Sequence, residues 1–300
     1  MNKKDFSVSI IIPNYNGKEL LARNLPLVIN AYHNSQNNIS EIVVVDDGSK
    51  DNSASLIKTS FPGVKLIQHT KNRGFSAAVN TGVRTAKGEL VALLNSDVSP
   101  SSDFLEKIYP HFKDKDTFGV SLHEQGFGWA KGVFSGGFIV HEPGEEDSQV
   151  HRTFWINGGS GVFRRDIWFK LGGLDEKTFF PFYWEDVDLS YRALKRGYKL
   201  FWEPDAKVVH QHETTIGKFP ASKRNVIQER NQLLFIWKNL TSARMFRKHL
   251  GGLFSRVLRH PGYIRIILMA ILRLPYVLKL RKKLIKQQKV SDEAIFQFFK

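Results

Sequence analysis

The sequence contains no cysteine among its 300 residues. Disulfides, thiolate nucleophiles and metal sites built on cysteine are therefore excluded, and any chemistry must use other side chains. Long apolar runs are also missing near the N-terminus, where the run that ends at Pro13 reaches only about six residues, too short for a signal peptide. We therefore expect a chain that stays in the cytoplasm.

Two common phosphate-binding loops are absent as well. A dinucleotide-binding fold needs GxGxxG directly after its first strand, but the segment "PNYNGKEL" has only Gly17 there. A GK[ST] loop is also missing. The glycine-rich phosphate loops of those two fold families are thus excluded.

Acidic residues are scarce in one part of the chain only. Residues 221–300 contain 18 Lys and Arg but 3 Asp and Glu, whereas residues 1–220 contain 26 of each. The whole formal net charge of +15 therefore lies in the last part. We predict a globular domain over residues 1–220, with ample apolar content for a core, and a basic amphipathic helical extension over residues 221–300.

Strand and helix signals alternate in the first hundred residues. Runs rich in β-branched residues occupy 7–12, 41–45, 64–68 and 89–94, and helical spacing of leucine and valine follows the first of them. This alternation predicts an α/β fold with parallel strands and crossover helices.

Each predicted strand ends in polar residues. The following segments are "PNYNG", "DDGSKDNS", "HTKNRGFSAAVNTG" and "NSD". Because the carboxyl ends of parallel strands meet at one edge of a sheet, we expect a single ligand-binding crevice there. In the pair Asp46 and Asp47, one residue is suited to a ribose or pyrimidine N–H and the other to capping a helix. The "NSD" segment has two interpretations: a turn into a helix near Phe104, or a functional carboxylate at Asp97.

Six segments carry a resemblance to a known family. They are "SIIIPNYNG", "VVVDDGSKDNS", "NRGFSAAVNTG", "LVALLNSDV", "GGSGVFRRDIWFKLGGLDEKTFFPFYWEDVDLSYRALKRGYKL" and "VVHQHET". In this order they resemble the motifs of family 2 glycosyltransferases, nearest to the bacterial rhamnosyltransferase-like branch. The resemblance covers about residues 6 to 215 of the chain.

The resemblance implies an A-type glycosyltransferase fold, a Rossmann-like mixed, mainly parallel sheet flanked by helices. It implies a nucleotide-binding half over about residues 1–100, an acceptor and catalytic half over 101–220, and sugar transfer with inversion. Pro13, Tyr15 and Asp47 match positions that hold the base and its ribose. The other predicted substrate-binding residues are Asn72, Gly74, Asn80, Asn95, Ser96, Gly158, Gly159 and Trp184.

The resemblance also implies a metal site. Asp97 matches the last acid of the family's DxD motif, although Asn95 stands where an acid is often found. A divalent cation, Mn²⁺ or Mg²⁺, bridging the carboxylate to a diphosphate is what the chemistry requires. His210 matches a histidine that some relatives use on the metal, with His212 as the competing candidate, and imidazole favours Mn²⁺.

The segment "FYWEDVDLSYRALKRG" supplies a candidate base. Acidic residues at a helix start are also explained by the helix dipole. In the family the aspartate of "ED" is the base, which places that role on Asp186, with Glu185 in support and Asp188 serving the helix N-terminus.

Two further features near this segment have two interpretations each. The glycines in "NGGSGVF" (157–163) either let the backbone approach the substrate closely or satisfy a positive φ. Trp155 and Trp184 either stack on a sugar or pack in the core.

The basic extension predicts a partner. Its most apolar part, 266–272, is far shorter than the roughly 20 residues needed to span a bilayer. Basic residues beside aliphatic ones favour helices lying on an anionic membrane surface, with packing on the domain or in an oligomer as the alternatives. A nucleic-acid partner is disfavoured because it leaves the apolar face unused.

We therefore expect a metal-dependent, inverting transferase in cell-surface polysaccharide or glycolipid synthesis, peripheral on the inner face of the membrane. The expected donor is a UDP- or dTDP-sugar, dTDP-rhamnose by branch resemblance, and the expected acceptor is a glycan or lipid-linked glycan. The alternatives are hexosyl or N-acetylhexosaminyl transfer from a UDP-sugar, or a non-catalytic protein that binds sugar nucleotides.

Overall fold

The structure, a computed structural model, describes residues 6–211, 217 and 220–299. Within these residues the strands are β1 (Val8–Asn14), β2 (Ile39–Asp46), β3 (Lys65–Gln68), β4 (Leu90–Leu94), β5 (Val98–Pro100), β6 (Thr117–Glu124), β7 (Ala130–Ser135), β8 (Phe138–Pro143), β9 (His151–Arg152), β10 (Ser160–Arg164) and β11 (Lys199–His210). Strands β7 and β8 form a separate hairpin. The others form one sheet in the order β3-β2-β1-β4-β10-β6-β11-β5, with β9 paired to β11.

This sheet is mixed and mainly parallel, as predicted. Strands β1 to β4 are parallel, and the four predicted strand positions are confirmed to within a few residues. Strand β10 runs antiparallel between β4 and β6, which reverses the chain once before the parallel pair of β6 and β11. The A-type fold is therefore confirmed at the level of architecture.

Helices cover both faces of the sheet. They are α1 (Lys18–His33), α2 (Ser53–Ser60), α3 (Phe75–Thr85), α4 (Tyr109–Phe112), α5 (Arg165–Leu171), α6 (Glu185–Lys195), α7 (Ala221–Asn239), α8 (Ala243–Arg259), α9 (Ile264–Ile271), α10 (Leu274–Gln287) and α11 (Asp292–Phe298). Strand β1 shows why two cores form: Ile10 and Ile12 pack with α1, whereas Ile11 packs with α3 on the opposite face. A strand that is covered on both faces has a nearly continuous apolar sequence, as β1 does.

The helix expected near Phe104 is not there. Turns occupy residues 102–108, and the short helix α4 begins only at Tyr109. Directly after Asp97 the chain instead forms β5, which pairs antiparallel with the end of β11. The polar exit of β4 is thus followed by a strand whose partner comes from the far end of the domain.

The predicted boundary at residue 220 does not separate two cores. Leu233, Leu234 and Phe235 of α7 are fully buried in the core that also contains α6, and Phe296 of α11 joins them. No helix in the described part of the chain combines the length and apolar character that crossing a membrane requires.

Candidate active site

The predicted crevice exists at the carboxyl ends of β1 to β4. It is a cleft of about 880 Å³. The loops after these four strands contribute Pro13, Asn14, Tyr15, Asn16, Asp47, Asn72, Gly74, Asn95, Ser96 and Asp97. The wall contributed by the second half of the chain includes Gly158, Gly159, Trp184, Glu185, Asp186 and His210.

Three buried polar atoms on the cleft wall have no hydrogen-bond partner within the described residues. They are Asn14 Oδ1, Trp155 Nε1 and Glu185 Oε2. Gly17 leaves room for the first of them, since a Cβ at Gly17 would lie 2.5 Å from Asn14 Oδ1. Because buried polar atoms are normally paired, these three are suited to contact a polar ligand.

Asp47 lies on the cleft wall and is buried. Its carboxylate accepts hydrogen bonds from the backbone N–H groups of Arg73 and Gly74, and His69 Nδ1 lies 2.6 Å from Oδ1. These bonds fix the loop after β3 against the loop after β2. The expectation that Asp46 or Asp47 caps helix α2 was wrong, because it is Asp51 that accepts from Ser53 N at the start of that helix.

Gly159 is needed for close approach and not for its φ. Neither Gly158 nor Gly159 has a positive φ, so that interpretation of the glycine run was wrong. A Cβ at Gly159 would lie 2.3 Å from Asn95 Nδ2, and the Gly159 carbonyl accepts from Asn95 N at 2.8 Å. The glycine thus lets the loop before β10 lie directly against the exit of β4.

Asp97 and His210 are adjacent in the cleft. His210 Nε2 lies 3.2 Å from Asp97 Oδ1, and His210 Nδ1 lies 3.0 Å from Glu124 Oε1. Burial alone would lower the pKa of His210, but the hydrogen bonds and charges of the two carboxylates outweigh it and raise the pKa to about 9. The imidazole is held between an acid on the cleft wall and one at the end of β6.

The pairing of β5 with β11 explains how these residues meet. Val98 is the register partner of His210, and Gln211 N donates to the Asp97 carbonyl at 3.1 Å. A strand pairing therefore brings together two residues that are more than one hundred positions apart in sequence. The competing candidate His212 lies outside the described residues.

The side chains of Asp97 and His210 are suited to a divalent cation in one respect. A ligating histidine usually places its second nitrogen against a carboxylate, and Glu124 occupies that position for His210. Asn157 Nδ2 and the Ser160 hydroxyl also donate to Glu124, which fixes the acid. Within residues 6–211, 217 and 220–299, no group of three or more acidic or histidine side chains is arranged to hold a metal ion. Sequence reasoning missed Glu124, because nothing in its local sequence marks it.

Glu185 and Asp186 open helix α6 at the cleft. Asp186 Oδ2 accepts from Gly158 N at 3.1 Å and Oδ1 accepts from Val187 N at 2.8 Å. Burial raises the pKa of Asp186, and these hydrogen bonds oppose the rise. Burial, together with the negative charge of Asp186, raises the pKa of Glu185 well above its usual range. A carboxylate with a raised pKa is suited to accept a proton near neutral pH.

The loop before this pair is held by helix α7. Asn231 Nδ2 donates to the carbonyls of Phe179, Phe182 and Tyr183, each at 2.9 Å. Arg230 Nη2 donates to the Phe180 carbonyl at 2.7 Å. The loop needs this support because Tyr183 and Trp184 both have positive φ, which costs energy for residues with a side chain. Sequence reasoning missed Arg230 and Asn231.

One predicted role is incomplete, and another does not match the structure. Asp188 lies in the first turn of α6, as predicted, but its fully buried carboxylate accepts from Arg192, Lys238 and Asn239, so it also anchors α6 to α7. Asn80 does not line the cleft: its side chain bonds to the backbone of Leu174 and to Glu176. Asn80 was expected at the substrate and instead fixes a neighbouring loop.

An aromatic wall closes the second side of the cleft. Trp155 and Trp184 line it together with His141, whose ring centroid lies 5.3 Å from that of Trp155 and 6.0 Å from that of Trp184. Trp184 also packs on Phe235 of α7 at 5.0 Å. Both indoles therefore pack against neighbours and face the cleft, so the two interpretations of these residues are compatible.

The sequence profile described as Glycosyl transferase family 2 matches residues 9–166, which is more than half of the chain. The chain belongs to this family. The match spans β1 to the start of α5 and so includes the four strand-end loops and Asp97. It ends before Asp186 and His210.

Two curated relatives illustrate the similar proteins. The pre-mycofactocin glycosyltransferase of Mycobacterium tuberculosis is 29% identical over 192 residues, which is 61% of this chain and 40% of that protein. The O-antigen chain rhamnosyltransferase RfbN of Salmonella typhimurium is 22% identical over 224 residues, 69% of this chain and 67% of that protein. The chain thus spans about 40% of the length of the first of these relatives.

A solved structure of the same architecture supports the fold. The crystal structure of GalNAc-T7 with UDP, GalNAc and Mn²⁺ superposes with a TM-score of 0.62, 18% identity, and coverage of 86% of this chain and 57% of that one. At this identity the similarity concerns the fold alone.

Proposed function

We propose that the chain transfers a sugar from a nucleoside-diphosphate sugar to an acceptor hydroxyl, with inversion at the anomeric carbon. The observation that carries the proposal is that one cleft contains both the Asp97–His210 pair and the separate carboxylate of Asp186. Departure of a diphosphate and deprotonation of an acceptor are the two demands of such a transfer. Each therefore has its own candidate group in the cleft.

In the proposed reaction Asp186 takes the proton of the acceptor hydroxyl. The acceptor oxygen bonds to the anomeric carbon as the bond from that carbon to the diphosphate oxygen breaks. The raised pKa of Asp186 makes it a stronger base than an ordinary exposed aspartate. Glu185 is proposed to support Asp186 at the start of α6, and Pro13, Tyr15 and Asp47 to contact the base and ribose.

Asp97 and His210 are proposed to hold a divalent cation, with the Asn95 amide as a neutral neighbour. When bound, such a cation neutralises negative charge on the leaving diphosphate. The structural observation that supports this is the contact of Glu124 with Nδ1 of His210, which leaves the other ring nitrogen on the side of Asp97. The GalNAc-T7 structure, which contains Mn²⁺, supports the assignment through its shared fold.

The finer identity of the substrates is part of the proposal. A UDP- or dTDP-sugar is proposed as donor, and similarity to a rhamnosyltransferase supports dTDP-rhamnose. Transfer of a hexose or N-acetylhexosamine from a UDP-sugar is the second candidate. The proposed acceptor is a glycan or lipid-linked glycan of the cell surface, at the inner face of an anionic membrane.

The base is tested with Asp186→Asn and, as control, Asp166→Asn on the exposed side of α5. A thermal-shift screen of nucleotide sugars with and without Mn²⁺ first identifies the donor, since a ligand of the folded state raises its stability. We expect Asp186→Asn to bind that donor normally and to slow transfer by on the order of 10²-fold or more. Turnover within a few-fold of the parent would move the base elsewhere, with Glu185 the next candidate.

The metal site is tested by calorimetry with UDP, with and without Mn²⁺. We expect Asp97→Ala to lose the Mn²⁺-dependent part of UDP binding while retaining the Mn²⁺-independent part. Equal Mn²⁺ dependence in the parent and the variant would contradict the assignment. A chain that binds nucleotide sugars but neither transfers nor hydrolyses them would favour the non-catalytic alternative.

A further inference from the structure

Exposed apolar side chains are concentrated on helices α8 to α10. Among the described residues, 19 large apolar side chains are exposed, and ten of them lie between residues 243 and 287. These ten are Leu250, Phe254, Leu258, Ile264, Leu268, Ile271, Leu272, Tyr276, Leu278 and Ile285. Such a concentration marks an interaction surface and not ordinary scatter.

The spacing of these residues places them on one stripe of each helix. Leu250, Phe254 and Leu258 follow one another at intervals of four on α8, and Ile264, Leu268 and Leu272 do so along α9 and the residue after it. Phe254 and Leu258 are 67% and 66% exposed, and Leu272 is 83% exposed. We call these six residues the apolar stripe.

Other faces of the same helices pack against the rest of the protein. Met245 and His249 of α8 are buried, as are Ala270 of α9 and Val277 of α10. Helices α9 and α10 both pack against α7. The apolar stripe is therefore a second apolar face that the protein itself leaves uncovered.

The charge around the stripe has one sign. Residues 243–287 contain twelve Lys and Arg and no Asp or Glu. Nine of the twelve are exposed, among them Arg265, Lys282 and Lys283. A two-fold contact between copies of this surface would place like charges opposite one another, which disfavours self-association. An anionic surface provides the complementary charge.

We propose that the apolar stripe docks on an anionic phospholipid bilayer. Its side chains enter the boundary between headgroups and acyl chains, and the exposed Lys and Arg contact lipid phosphates. The proposal deepens the membrane part of the proposed function and rests on it only for the location of the acceptor. It assigns docking to the exposed faces of α8 to α10, with the apolar stripe on α8 and α9, and not to α7 and α11, which pack into the core through residues such as Phe235 and Phe296.

The test is co-sedimentation of the full chain, without donor, with phosphatidylcholine vesicles and with vesicles containing about one third phosphatidylglycerol. The apolar variant is Phe254→Ser, Leu258→Ser and Leu268→Ser. The charge variant is Arg265→Gln, Lys282→Gln and Lys283→Gln. The control variant, Leu27→Ser and Phe169→Ser, removes exposed apolar side chains of α1 and α5.

We expect the parent and the control to bind the anionic vesicles alike and the neutral ones weakly. The charge variant should bind anionic vesicles about 10²-fold more weakly at low salt, since each basic residue near the surface contributes several-fold. The apolar variant should lose at least about tenfold at both low and high salt, because burial of apolar area is not screened. All variants should keep the parent's melting temperature and UDP binding.

Three outcomes would overturn the proposal. One is equal binding of the parent to neutral and anionic vesicles, and another is unchanged binding of the apolar variant. The third is a parent that binds no vesicles but forms dimers that the apolar variant dissociates, which would assign the stripe to a second copy of the chain. The vesicle assay contains no donor, so its failure would not bear on sugar transfer. Likewise, a failure of sugar transfer would not bear on vesicle binding.

Discussion

The helices after residue 220 are of two kinds, although their composition is basic throughout. Helices α7 and α11 are built into the core: Leu233 and Phe235 are fully buried, and so is Asp292 at the start of α11. Helices α8 to α10, which lie between them in sequence, expose half of the large apolar surface residues that the structure describes. A charge count over the whole segment averages these two kinds and cannot distinguish them.

The charges of the two kinds of helix also differ in their surroundings. Lys238 of α7 is buried between Asp175 and Asp188, at 2.7 and 3.0 Å. Lys195 of α6 is likewise buried against Asp292, at 2.7 Å. The basic residues of α8 to α10 lie mostly at the surface. Similar residues thus fix the architecture in one place and provide surface charge in the other.

The largest expected effect comes from breaking the buried ion pairs of Lys238. Lys238→Met removes the cation between two buried carboxylates, and leaving buried charge unpaired costs about 3–5 kcal/mol. We expect the free energy of unfolding, measured in urea, to fall by that amount. The control Lys282→Met, on the exposed side of α10, should change it by less than about 0.5 kcal/mol. Equal effects of the two substitutions would contradict the comparison.

Lowering the pH should weaken the buried ion pair of Asp175 and Lys238, whereas an exposed acidic residue should contribute little to the pH dependence of stability. Burial raises the pKa of Asp175, but Lys238 outweighs it and holds the pKa at about 2, below the ordinary 3.8. A depressed pKa contributes stability above pH 4 that is lost as the pH falls towards 2, about 2 kcal/mol here. Thermal melts of Asp175→Asn should therefore depend less steeply on pH in this window than melts of the parent. The exposed Asp103→Asn serves as control.

The smallest expected effect concerns the site itself. Asn231→Ala removes the amide that holds three carbonyls of the loop before Glu185, so we expect kcat to fall about tenfold with donor KM unchanged. The neighbouring Gln232→Ala is the matched control, because Gln232 bonds to Ile139 and not to that loop. A fall in stability alone, with kcat intact, would limit α7 to a structural role.

The strand-end residues could be predicted because their signal is local. A buried run followed by Asn95, Ser96 and Asp97 identifies the end of a strand, and parallel strands bring such ends together. Family motifs added His210 and Asp186, which the structure also places in the cleft. Their catalytic and metal roles stay predictions.

The contacts that hold these residues could not be predicted in the same way. Glu124 ends an interior strand, and Asn231 lies in a helix whose sequence is dominated by its charge and apolar residues. Each acts through tertiary contacts with distant segments, for which the sequence alone has no local pattern. The anchoring role of Asp188 was missed for the same reason, since its partners Lys238 and Asn239 come from another helix.

The carboxylate of Asp292 holds together the two ends of the segment that contains α8 to α10. Asp292 accepts from the backbone N–H groups of Thr241 and Ser242, so the segment leaves and re-enters the core at the same point. For protein engineering this makes residues 243–290 a cassette with both ends fixed. Cleavage by a protease within the exposed helices would leave both fragments attached. A graft would have to keep the inward-facing Tyr263, Ala270 and Val277 and also Arg273, which donates to the carbonyls of Thr178 and Phe180 in the loop before the cleft. With these contacts kept, the outer faces of α8 to α10 could be redesigned independently of the cleft.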